Sequence, residues 1–137
     1  MVGAGSSEEQ EMCARDSSAD QNADLLDQAY LGDLERHLGV PATAGLLTQG
    51  IEDLAARLDQ LSGPASPAGE AALARAAHDI VGGAGQLGLA ALTQLARELH
   101  SAADAGRGDE SRRLLARMAD NAPRSFDALR RWISSRR

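Results

Sequence analysis

The sequence predicts an all-α fold: an antiparallel up-down-up-down four-helix bundle with an additional N-terminal helix. Three observations lead there. Apolar residues recur at helical rather than alternating spacing along most of the chain. Aromatics are 2% of residues against 43% hydrophobic, so the core has to be built of Leu and Ala, a composition that favours helices over sheets. Gly- and Pro-bearing breaks cut the pattern into helix-length segments, and the short turns between them force neighbours to run antiparallel. At 137 residues the chain is expected to hold one domain.

Residues 1–22 are mostly Ser, Glu, Asp, Gln and Gly and read as a flexible tail, with Met12 and Cys13 inside it. The bundle domain is expected over residues 23–135. Its first helix, 23–38, carries Leu31, Leu34 and Leu38 on one face and is stopped by Gly39 and Pro41. The second, 42–61, has a stripe of Leu47, Ile51, Leu54, Leu58 and Leu61. The run SGPASPAG, 62–69, reads as a loop. The third helix, 67–87, turns Leu73, Ala77, Ile80, Ala84 and Leu87 inward, and Gly88 makes a tight corner. The fourth, 89–105, buries Leu92, Leu95, Ala96, Leu99 and Ala102 and stops at Gly106 and Gly108. Asp109 can cap the fifth helix, which carries Leu114, Leu115, Met118, Phe126, Leu129 and Ile133. Pro123 is expected to kink or briefly break it. The first helix should lie across one end of the other four as a lid.

All fourteen basic residues are arginine. Residues 1–70 hold 13 acids and 3 arginines, and residues 71–137 hold 7 acids and 11 arginines. The acidic total and the lack of aromatic interleaving argue against nucleic acid. Arg112, Arg113, Arg117, Arg130 and Arg131 read as a solvated face. A lone cysteine forms no internal disulfide, the N-terminus is not a signal peptide, and no segment approaches the roughly 18 apolar residues that span a bilayer. A cytoplasmic, monomeric protein that does not touch membrane is expected. No strand, Walker-type loop or GxGxxG is present, which excludes most nucleotide-binding architectures.

One stretch departs from the Ala-rich rule. Gly82, Gly83 and Gly85 follow His78 within two turns, and Gly88 comes just after. Each helical glycine costs up to about 1 kcal/mol against alanine. Access explains what packing does not: the glycines leave the imidazole uncrowded and let another surface approach. At about 100° per residue His78 projects about 140° from the core face, toward solvent, with Gly82 and Gly85 on the same side. The three histidines, His37, His78 and His100, contain no i, i+4 pair, and no metal site is expected. A Ser-His-Asp hydrolase would need a strained nucleophile turn and an oxyanion hole, which a bundle does not offer. A solvent-facing imidazole, in contrast, is a nucleophile without further help and can take a phosphoryl group brought to it.

The segment AHDIVGGAGQLG, Ala77 to Gly88, resembles the active-site helix of histidine-containing phosphotransfer (HPt) domains. That pattern runs histidine, any residue, aliphatic, lysine, glycine, then small residues, an aliphatic and a closing glycine. Helix order and lengths from Ala23 to Ile133 carry the likeness further. The resemblance implies that His78 is the phosphorylated residue and that the chain is a phosphorelay carrier with no ATP-dependent kinase activity. It implies as partner a response-regulator receiver domain or the receiver portion of a hybrid histidine kinase. No cofactor of its own is implied, since Mg²⁺ would come with the receiver. Val81 stands where the family commonly has lysine. Either the receiver supplies all the cationic stabilisation, or another residue substitutes, Arg75 being the nearest along the helix, or the chain is a degenerate module that binds a partner without phosphoryl transfer. Ala74, Val81, Gly82 and Gly85 would form the apolar centre of the docking surface, with Arg75 at its rim.

His100 lies twelve residues past the Gly88 corner and His78 ten before it, so antiparallel helices bring them to similar height. It also matches the position where the resemblance implies a polar side chain beside the phosphorylatable ring. Whether it orients His78 or is only a half-exposed helix residue depends on which flank of its helix faces inward.

Overall fold

The computed structural model describes residues 25–62 and 69–136. Five helices occur among them: α1 Gln28–Leu38, α2 Val40–Ser62, α3 Glu70–Gln86, α4 Ala90–Asp104 and α5 Gly108–Ser134. The tail expected over residues 1–22, with Cys13, lies outside the described residues, as do Pro67 and most of the 62–69 loop. The helices form the expected bundle. α3 packs on α4, α4 on α5, and α2 closes the ring against both α3 and α5. The core is aliphatic, with Leu47, Ile51, Leu54, Ile80, Leu92, Leu99, Met118 and Leu129 almost fully buried. Ala77, Ala84, Ala96 and Ala102 have no exposed surface, and their small side chains let the backbones approach.

The α3–α4 corner is closed by backbone chemistry. Gly88 has φ +69, and the Gly88 and Leu89 amides donate to the carbonyls of Gly85 (3.1 Å) and Ala84 (3.0 Å). This is the Schellman arrangement, which satisfies carbonyls that the end of α3 would leave orphaned. Buried Ala84 and Leu89 supply the apolar contact that accompanies it. Gly106, φ +75, ends α4 the same way.

α1 lies across the end of the bundle that holds this corner. The Asp27 carboxylate accepts from the Tyr30 amide at 3.0 Å and caps the helix. The Asp27 amide donates to the Gly88 carbonyl at 2.8 Å, and the Tyr30 hydroxyl donates to the Gln86 carbonyl at 2.8 Å. At its other end Glu35 meets Arg136 at 3.4 Å, beyond the C-terminus of α5. The Arg136 guanidinium also lies 4.1 Å over the buried Trp132 ring.

Several element boundaries and faces differ from expectation. α2 begins at Val40, so Pro41 sits in its first turn, where a missing N–H has no partner to lose. Leu38 is 46% exposed rather than inward, because only Leu31 of α1 is driven fully into the core. Asp109 does not cap α5; it lies within the first turn and pairs with Arg112. Pro123 does not break α5, which runs through it. Pro123 is exposed, as is Ala119, so the Ala119 carbonyl, which receives no N–H from proline, is left on the side of the helix that faces water. Met118, Ala122, Phe126 and Leu129 on either side hold the helix to the core.

The corner makes a testable distinction between two left-handed glycines. A Cβ on Gly88 would meet Leu31 Cγ at 2.9 Å, whereas one on Gly106 would meet nothing within 4 Å. Backbone strain alone costs about 1–2 kcal/mol, and overpacking adds about 1–3 kcal/mol. Gly106→Ala should lower stability by the first amount and Gly88→Ala by the sum, measured by urea unfolding. Equal losses would mean that α1 does not bear on the corner.

Candidate functional site

His78 sits in the third turn of α3 with its side chain exposed, and Asp79 beside it is exposed too. One face of α3 is buried through Ala74, Ala77, Ile80 and Ala84, which fixes the phase that turns His78 outward. Across the corner, His100 on α4 is half-buried, and the two ring centroids are 5.7 Å apart with planes tilted by 50°. The flank of α4 left open by sequence is therefore the one that faces His78. His37 is elsewhere, at the end of α1, its Nδ1 2.7 Å from the Asp33 carbonyl oxygen.

The glycines divide into two kinds. Gly82 and Gly85 are exposed, and a Cβ at either would meet nothing within 4 Å. Gly83 faces the other way, toward α2, where a Cβ would lie 3.3 Å from Leu54 Cδ1. Its role is close helix packing rather than access to the histidine. Gly50 of α2 does the same from the opposite side, against Leu87.

Of the residues assigned to the docking surface, one is buried and a second is only partly exposed. Ala74 is 6% exposed and belongs to the buried face of α3. Val81 is half-buried and packs against the core. α3 has neighbours on two sides, α2 and α4, so its buried arc is wider than a single stripe. Arg75 is exposed, but it does not line the groove in which His78 stands.

That groove, about 640 Å³, runs between α2 and α3 under the start of α1. Besides His78, Asp79, Gly82 and Gly83 it is lined by Tyr30 of α1 and by Leu46, Gln49, Asp53 and Arg57 of α2. These α2 residues are not among those the sequence pattern singles out. Their signal was weak but present: Leu46, Gly50, Asp53 and Arg57 recur at spacings of three and four, which marks one flank of the helix. Leu46 is 51% exposed and gives the groove an apolar patch.

A model of the Hpt domain family matches residues 17–133, most of the chain. The chain belongs to the Hpt domain family. No curated protein and no solved structure matches it. Hpt domains are phosphotransfer modules of phosphorelays, phosphocarriers rather than kinases, and they work with receiver domains and histidine kinases. Among the described residues no helix is long and apolar enough to cross a membrane.

The open space at Gly82 and Gly85 has a consequence for stability. Alanine there gains helix propensity, up to about 1 kcal/mol per site, and meets no neighbour. Gly82→Ala and Gly85→Ala should therefore raise the midpoint of thermal unfolding, while Gly50→Ala should lower it through overpacking on Leu87. A loss of stability at Gly82 would show that this glycine is needed by the fold rather than by a visitor.

Proposed function

We propose that this Hpt domain is a working phosphocarrier and that His78 receives and passes on the phosphoryl group. The observation that carries the reading is an exposed imidazole flanked by two open glycines, with a second imidazole 5.7 Å away. The His78 Nε2 lone pair forms the N–P bond in line with the departing oxygen. The P–O bond to the receiver's aspartate breaks, and the carboxylate leaves with the bonding pair. Return to a second aspartate reverses the step. Phosphoryl transfer of this kind is mostly positioning and charge neutralisation, and the receiver brings Mg²⁺ with its own basic residue. His100 holds the His78 ring in its attacking orientation or meets the phosphoryl oxygens. Gly82 and Gly85 supply the flat approach that a receiver needs, with exposed Leu46 at the edge of the contact.

Val81 supports the competing reading, a degenerate module that binds a receiver without chemistry, because a valine supplies neither charge nor hydrogen bond. Incubation with a radiolabelled phospho-receiver decides between them. The carrier acquires acid-labile, base-stable label, which His78→Gln abolishes while circular dichroism stays unchanged. Binding without label would establish the adaptor. Gly82→Leu should fold normally, since its Cβ has open space, yet lose transfer at least ten-fold through blocked approach; transfer at the normal rate would overturn the access argument. Val81→Lys should be tolerated, its aliphatic stem lying on the core and its ammonium reaching water. A collapse of transfer in that variant would give Val81 a specific packing role.

A further inference from the structure

We infer that Arg57, on the neighbouring helix α2, supplies the cationic contact to a phosphoryl group on His78 that Val81 cannot make. This rests on the carrier reading of His78. Arg57 is exposed and lines the same groove as His78, Asp79 and Gly82. Among the described residues it is the one arginine that lines this groove.

Its direction follows from the register of α2 against α3. Gly50 backs onto Leu87, and Leu54 backs onto Gly83. These two contacts make the helices antiparallel neighbours in step, so three residues further along α2 Arg57 is level with Ile80, within a turn of His78. Gly50 and Arg57 are seven residues apart and share a face; since Gly50 meets α3, Arg57 looks toward α3 as well. Asp53 and Asp79 also line the groove, and without a cation they would repel an incoming phosphoryl group. Asp53 accepts from Gln49 at 3.1 Å. No ion pair of Arg57 occurs among the described residues, which leaves its planar fork free for phosphoryl oxygens. Arg75, nearer in sequence, is outside the groove lining.

The test uses potassium phosphoramidate, a small donor that phosphorylates histidine without a receiver, and follows the phosphohistidine by ³¹P NMR as pH is varied. A positive charge beside an anionic group disfavours added protons. Arg57→Ala should raise the titration midpoint by about half a unit, the size of one exposed charge pair, and label should be lost several-fold faster at neutral pH. Arg57→Lys should restore the wild-type midpoint, and Arg75→Ala should leave it unchanged. A wild-type titration in Arg57→Ala, or a shift in Arg75→Ala instead, would overturn the assignment. If receivers give the wild-type protein no label while the phosphoramidate titration shows the Arg57 shift, the carrier reading fails and the contact stands. If neither phosphoramidate nor a phospho-receiver labels His78, both fall.

Discussion

The backbone of Gly88 is the point on which the arrangement turns. Its left-handed conformation reverses the chain between α3 and α4, and its carbonyl accepts from the Asp27 amide at 2.8 Å. The first fixes the register that sets two histidines, 22 residues apart in sequence, ring to ring. The second pins the lid helix over the corner, where Tyr30 also holds the last turn of α3. A single residue without a side chain thus ties the position of the His78 imidazole to the closure of the bundle. A side chain at that point would collide with Leu31. Changes at the corner reach the site through helix register rather than through direct contact.

Helix α3 gives up intrinsic stability where its glycines are most dense, and the structure shows that this has two separate causes. Gly83 and its counterpart Gly50 let α2 and α3 approach, which brings the α2 flank into the groove beside His78. Gly82 and Gly85 bring nothing closer among the described residues. The helix is kept by the burial of Ala77, Ile80 and Ala84 beneath them. Packing on one face offsets propensity lost on the other.

The features that periodicity controls were legible in the sequence. Leucine and alanine stripes gave the helices, the 3.6-residue phase gave the outward direction of His78, and counting from Gly88 gave the level of His100. The features that depend on which helices are neighbours were not. Ala74 faces outward if α3 has one neighbour and inward if it has two. Arg57 is one of several exposed arginines until the Gly50–Leu87 and Leu54–Gly83 contacts give the α2–α3 register. Pro123 carries a breaking signal, which loses to the packing of the turns around it because its own ring points to water.

Phosphoryl acceptance is assigned here to one atom, His78 Nε2. Long-range ¹H–¹⁵N correlation of the imidazoles in the phosphorylated protein identifies both the residue and the nitrogen. The expected spectrum has the phosphoryl group on Nε2 of His78, with both nitrogens of His100 and His37 unmodified. Phosphate on His100, on His37, or on Nδ1 of His78 would contradict it.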